Sequence, residues 1–270
     1  MKKIAETLSV AAAVLALAWV IARPAGSAPD ASLAKYSVGS EKAGYVYLDP
    51  QLRAMESDPI ENPGYLWVDK GKTLWNAAAG STGQSCASCH GAAEQAMRGV
   101  GAAYPKIDPQ SGKLVDLEQR INLERARMGA APYAWESEQL LALTAYIKSM
   151  SRGMPVRVAV DGPAHQYWLE GKRYYETRRG QLDMSCEQCH GQYAGRQLRG
   201  DVLSQGQTNG FPEYRLKWQA VGSVQRRFRS CDTKIRAQTL PYGSPEYVAL
   251  ELYIASRGEG LPIETPAVRK

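Results

Sequence analysis

Two stretches of the chain repeat one five-residue pattern, Cys86-Ala87-Ser88-Cys89-His90 and Cys186-Glu187-Gln188-Cys189-His190. Paired thiols two residues apart, followed at once by an imidazole, are what covalent haem attachment needs. Each thiol closes a thioether on a vinyl group, and the histidine supplies the proximal iron ligand. With three histidines among 270 residues, two unrelated Cys-x-x-Cys units would both be followed by His with a frequency of roughly 10⁻⁴. A four-cysteine zinc site is the competing reading, but such a site closes a loop of about 15–20 residues between its pairs and leaves the histidines unexplained. The expectation is two covalently bound haem c. Haem 1 is held by Cys86 and Cys89 with His90 axial, haem 2 by Cys186 and Cys189 with His190 axial.

Five cysteines leave one over. Cys231 lies in Gln225-Arg226-Arg227-Phe228-Arg229-Ser230-Cys231-Asp232, where three arginines within five residues lower a thiol's pKa and attract anions. A buried, inert thiol is the bland alternative. The arginines favour a distal ligand of haem 2 that is also a reactive sulfur, carried in the loop that bears the distal ligand of a cytochrome c domain. His165 is the one histidine outside the motifs, and its place before Gln166-Tyr167-Trp168 suits a solvent-facing or capping role at a helix entry.

The elements that position these residues come in two copies. At an offset of 100, Gly71-Lys72 matches Gly171-Lys172, Trp75 matches Tyr175 and Cys86 matches Cys186. Farther on the offset is 107: Trp135 matches Tyr242, Tyr146-Ile147 matches Tyr253-Ile254, and Pro155 matches Pro262. Seven extra residues therefore lie between Cys186 and Tyr242. Each copy runs from an apolar segment ending in Gly-Lys through a short helix, the haem motif and a Gly- and Pro-rich loop. A closing helix follows, over Ser137–Met150 and Pro245–Ser256, with apolar residues at i, i+3 and i+4. This predicts an all-α fold of two tandem cytochrome c-like domains, 29–157 and 158–270, each enclosing one haem.

The first 28 residues read as a cleavable export signal: Lys2 and Lys3, an apolar run from Val10 to Ala22, then Ala25-Gly26-Ser27-Ala28. The run is too short to span a bilayer, so the expectation is a periplasmic protein without a stable membrane anchor. Removing this segment lowers the net charge from +6 to +4, and haem propionates offset about four more charges. Near-neutrality, with aromatic residues better suited to haem pockets than to base stacking, argues against a nucleic-acid partner.

Around these residues the chain resembles SoxA, the dihaem subunit of the SoxAX cytochrome of bacterial thiosulfate oxidation. The resemblance runs through Asn62-Pro63-Gly64, Ser85 to Gly91, Met97-Arg98-Gly99-Val100, Ala134-Trp135-Glu136-Ser137, Ser151 to Pro155, Cys186 to Gly191 and Arg227 to Cys231. It implies an L-cysteine S-thiosulfotransferase that joins thiosulfate to a cysteine of a SoxYZ-type carrier. Two electrons then pass through a SoxX-type monohaem partner to a soluble cytochrome c. Cys231 is implied as the catalytic sulfur, able to carry a persulfide, and Arg227 as the substrate-binding residue. A dihaem electron carrier without catalysis and a tetrathionate-forming thiosulfate dehydrogenase are the alternatives, and an arginine cluster is superfluous in a plain carrier.

One departure stands out. Family members supply a cysteine to the first haem in a segment like Arg120-Ile121-Asn122-x-Cys, whereas this chain has Glu124 there, and the offset of 107 sets Glu124 opposite Cys231 and Arg120 opposite Arg227. Met128 is the softer ligand and the expected axial partner of haem 1, with Glu124 the alternative and an open site or Met97 behind them.

Overall fold

A computed structural model describes residues 31–270, and the expected export signal over residues 1–28 lies outside them. After a two-residue ladder, β1 (Ser37–Val38) with β2 (Glu41–Lys42), the chain forms α1 (Pro50–Ser57), α2 (Tyr65–Asn76), α3 (Cys86–His90) and α4 (Ala93–Ala96). The hairpin β3 (Lys106–Ile107) with β4 (Leu114–Val115) leads into α5 (Leu117–Arg127) and α6 (Glu138–Ser149). The second copy begins with α7 (His165–Glu176) and a π-turn at Gln188–Gln192. It continues through β5 (Gln197–Leu198), β6 (Asp201–Val202), β7 (Glu213–Arg215), β8 (Ala220–Gly222), α8 (Val224–Lys234) and α9 (Pro245–Arg257). The last strand, β9 (Ala267–Arg269), runs parallel to β7.

The fold is mostly helical, which corrects the all-α expectation. Short strand ladders occupy what the sequence reads as plain loops. The segments between haem motif and following helix are too rich in Gly and Pro for a helix, and pairing as small hairpins satisfies their backbone N–H and C=O groups. The closing helices form as expected, with Ser137 and Ser244 accepting from the amides of Leu140 and Tyr247 as N-caps.

In each copy the helix before the motif crosses the closing helix at very close range. A Cβ on Gly71 would lie 2.1 Å from the Ala142 carbonyl oxygen, and one on Gly171 would lie 2.0 Å from that of Ala249. Only glycine lets the backbones meet there. The crossing buries Trp75 against Tyr146 and Tyr175 against Tyr253, each such ring contributing on the order of 2–3 kcal/mol by leaving water.

The hairpin-plus-helix units β3–β4–α5 and β7–β8–α8 agree residue for residue at the offset of 107. Lys106 pairs with Val115 as Glu213 pairs with Gly222, and α5 and α8 begin and end at equivalent residues. The seven extra residues of the second copy therefore fall between His190 and Glu213, where β5 and β6 lie.

The two units meet at a buried seam. Asp116 caps α5 by accepting from the Gln119 amide at 2.8 Å, and its other oxygen accepts from the Gln225 side chain of α8, also at 2.8 Å. Glu118 and Glu251 are buried at the same seam, with Lys148 the cation facing them. Burial pushes the carboxyls up, Glu118 to about 7 and Glu251 to about 8, Asp116 well above its usual range. At the chain ends, Arg269 of β9 forms ion pairs with Glu56 of α1 and with Glu264.

Candidate active site

Both haem motifs are short helical turns started by a serine. Ser85 accepts from the Ser88 amide at 3.1 Å and Ser185 from the Gln188 amide at 3.4 Å, each in a reciprocal capping pair. Helical spacing brings the two thiols of each motif, three residues apart, onto one face. Cys86 packs against the core of the first copy and Cys186 against that of the second.

In the second copy His190 is oriented by its Nδ1, which contacts the Ser204 carbonyl oxygen at 2.8 Å. Such a bond to a backbone carbonyl fixes the ring and tautomer of a metal-binding histidine. Ser204 lies in the segment between His190 and Glu213 that contains the seven extra residues. The Cys231 thiol faces His190 from α8. Burial alone would raise its pKa, but Arg227, then His190 and Lys234, bring it down to about 6.

Arg227 lies one turn before Cys231 on the same face of α8. Its guanidinium makes no hydrogen bond or ion pair with any described residue and instead answers to the charge of Cys231. Arg215 of β7 and Lys234, at the end of α8, carry their charges into the same neighbourhood. The helix is held in rotation by Asp232, which accepts from Tyr174 at 3.1 Å and Tyr247 at 2.7 Å.

The first copy arranges equivalent positions differently. A cavity of about 490 Å³ is lined by Cys86, Cys89, His90, Met97, Glu124 and Met128, among others. That volume falls in the range of cofactor pockets, and paired thiols beside an imidazole in an apolar wall suit a haem c. His90 is flanked by Trp75, ring centroids 5.7 Å apart, and the Trp75 indole donates to the Gly91 carbonyl at 3.1 Å. Arg120 is consumed by an ion pair with Asp108 and by Glu124 at 3.1 Å, and Glu124 also accepts from Arg127 at 2.8 and 2.9 Å. Ser111 and Arg120 hold the Asp108 carboxyl well below its usual range. Met128 caps α5, buried, with no such competing partner on its thioether.

The SoxA/TsdA cytochrome c domain model matches residues 70–156 and again 170–263. The chain belongs to the SoxA/TsdA cytochrome c family. It is 46% identical over 229 residues to the L-cysteine S-thiosulfotransferase subunit SoxA of Rhodovulum sulfidophilum, covering 84% of this chain and 80% of that one. It is 45% identical over 228 residues to the subunit of the same name from Paracoccus pantotrophus, covering 84% and 78%. The crystal structure of SoxXA from P. pantotrophus superposes with a TM-score of 0.82 at 44% identity, covering 85% of this chain and 87% of that chain.

Within this family fold, the two motifs each stand in one copy, and Cys231 and Arg227 come together with His190. Three details differ from the sequence reading. Cys231 sits in the last turn of a helix rather than in a loop, because Val224–Lys234 is capped by Ser223 and anchored through Asp232. Arg226 and Arg229 do not join Arg227: Arg226 stacks on Trp218 at 4.3 Å and lies 3.9 Å from Glu136, while Arg229 donates to the Leu240 carbonyl and lies over Tyr242. Helical periodicity, in which positions 227 and 231 share a face and 226 and 229 do not, carries that signal. Sequence reasoning also missed Arg215 and Lys234, although the offset of 107 sets them opposite Asp108 and Arg127. His165 opens α7 exposed and stacked on Trp168, as expected of a solvent-facing helix entry.

Proposed function

We propose that the chain is the catalytic cytochrome subunit of an L-cysteine S-thiosulfotransferase, with haem c at both motifs and thiosulfate handled beside Cys231. The observation that carries this reading is the Arg227 guanidinium, without a hydrogen bond or ion pair among the described residues, one helical turn before Cys231 on the same face of α8. A dianion with a terminal sulfur fits a fixed cation next to a thiolate, since charge-assisted hydrogen bonds to sulfonate oxygens leave the sulfur end directed at Cys231.

Thiosulfate and the cysteine thiolate of a carrier protein would join through a new sulfur–sulfur bond with loss of two electrons; a haem c held by Cys186, Cys189, His190 and Cys231 would pass these one at a time toward an external cytochrome acceptor. Arg227 binds and orients the dianion. Cys231 offers a soft sulfur, deprotonated near neutral pH. His190 is kept in one ring orientation by Ser204. In the first copy, Met128 would hold the haem iron together with His90, because the Glu124 carboxylate is engaged by Arg120 and Arg127.

The likeness to SoxXA supports a SoxX-type monohaem partner. A SoxYZ-type carrier, a soluble cytochrome c acceptor and export to the periplasm follow from the family resemblance. Among the described residues no helix is long and apolar enough to cross a membrane. The division into two cytochrome c-like domains, 29–157 and 158–270, is supported by the two family-model matches. The deciding assay supplies thiosulfate with an oxidised cytochrome acceptor, with and without a protein bearing an accessible cysteine. Thiosulfate conjugated to that cysteine is expected; tetrathionate formed at the same rate without it makes the chain a thiosulfate dehydrogenase, and no thiosulfate-dependent reduction makes it a carrier.

A further inference from the structure

The offset of 107 that equates Arg120 with Arg227 also equates Asp108 with Arg215, each two residues on from the start of the first strand of its hairpin. In the first copy Asp108 forms an ion pair with Arg120 and removes that guanidinium from use. In the second copy the equivalent residue has the opposite sign and is itself paired with Glu213, so Arg227 has a second cation where Arg120 has its ion-pair partner, and feels the carboxylates of Glu213 and Asp201 only through space. We propose that Arg215 is a second anion-binding residue of the thiosulfate site, and that the exchange of Asp108 for Arg215 is what makes one copy receptive to a dianion and the other not. This rests on the reading of Arg227 and Cys231 as the thiosulfate site.

Arg215 is suited to the role by how it is held. Its Nη1 donates to Glu213 at 3.1 Å, and its guanidinium lies 5.2 Å from the centre of the Trp218 ring. The Nε and Nη2 donors meet no acceptor among the described residues, which leaves an edge of the fork for a ligand. The side chain is 12% exposed, so water screens its charge weakly. Burial lowers its pKa; Glu213 opposes this, and the nearby positive charge of Arg227 adds to it. Glu213 offsets only part of the repulsion between the two guanidiniums, and a bound dianion would relieve the rest.

The test compares Arg215→Gln, Arg215→Lys and Arg227→Gln in the two-haem protein, measuring the KM for thiosulfate, the KM for the carrier and calorimetric affinity for thiosulfate. Arg215→Gln is expected to raise the thiosulfate KM and weaken its binding on the order of ten- to a hundred-fold. The carrier KM should stay unchanged, and Arg215→Lys should restore most of the loss. Because Arg215→Gln strands the buried Glu213, the Glu213→Gln/Arg215→Gln double variant, which leaves no unpaired charge, serves as the second arm and is expected to weaken thiosulfate in the same sense. Unchanged thiosulfate KM and affinity in the double variant, with both lost in Arg227→Gln, overturns the role of Arg215 and leaves the site where it is. If Arg227→Gln is equally silent, the site reading itself fails.

Discussion

The two copies share hairpin, helix and cap position for position, and four equivalent positions decide their chemistry, two of them changing in kind and two staying cationic. Asp108, Arg120, Glu124 and Arg127 of the first copy correspond to Arg215, Arg227, Cys231 and Lys234 of the second. In the first set two carboxylates and two arginines satisfy one another. In the second, Arg215, Arg227 and Lys234 bring three positive charges toward a thiol, and Arg227 makes no hydrogen bond or ion pair among the described residues. The same backbone thus yields a closed ion-pair network in one place and an open anion cradle in the other. Repetition supplies the scaffold, and a few sign changes supply the function.

The largest contrast is at the sulfur. Cys231→Ala is expected to abolish thiosulfate-dependent turnover while both haems remain attached, since attachment depends on the other four cysteines. Glu124→Ala, at the equivalent position, should leave turnover largely intact. Retained activity in Cys231→Ala with both haems present would remove the asymmetry between the copies.

Next in size are the paired arginines. Arg227→Ala should raise the thiosulfate KM on the order of ten- to a hundred-fold, the loss of one charge-assisted contact to a partly desolvated dianion. Arg120→Ala should leave that KM unchanged and lower the melting temperature instead, because it strands Asp108 and leaves Glu124 with Arg127 alone. Steady-state kinetics and thermal melts on both variants read the difference, and equal kinetic effects would break it.

A spectroscopic contrast follows at the first haem. Thioether ligation by Met128 predicts a weak charge-transfer band near ~695 nm in the ferric protein, lost in Met128→Ala and kept in Glu124→Ala. A spectrum that responds to Glu124→Ala and ignores Met128→Ala would make the repeat, rather than ligand softness, the guide to that iron.

The smallest effect concerns the seam that aligns the copies. Glu118 and Glu251 have folded pKa values of about 7 and 8, above the ordinary range for a carboxyl. The folded state therefore binds protons more tightly than the unfolded one across that window. Stability from these groups is full at acidic pH and falls as pH rises through about 7 to 8. Melting temperature should decline from pH 5.5 to 8.5, and Glu251→Gln should flatten the decline; a rising or unchanged slope would contradict the buried, proton-holding seam. The depressed Asp108 acts in the opposite sense, losing its contribution only as pH falls below the usual carboxylate range.

Much of this was legible in the sequence because its signals are local. The Cys-x-x-Cys-His units, the capped closing helices and the offsets of 100 and 107 are read within a few residues or by simple alignment. What escaped depends on how distant segments meet. Arg226 and Arg229 look like partners of Cys231 by proximity along the chain, but helix rotation carries them to Trp218 and Leu240. Arg215 reaches the site from a strand, the Ser204 carbonyl reaches His190 from the segment between His190 and Glu213, and the seam carboxylates come from α5 with its cap and from α9. A run of Gly and Pro says that a helix will not form without saying which hairpin will.

The central claim, that the thiosulfate chemistry belongs to the second copy alone, is tested most directly by peptide mass spectrometry of the protein after turnover with thiosulfate. The account predicts haem on the Cys86–Cys89 and Cys186–Cys189 peptides alike, and an added sulfur of ~32 Da on the peptide bearing Cys231 and nowhere else. Cys231 unmodified while sulfur accumulates on a peptide of the first copy, or haem on only one of the two motifs, would contradict it.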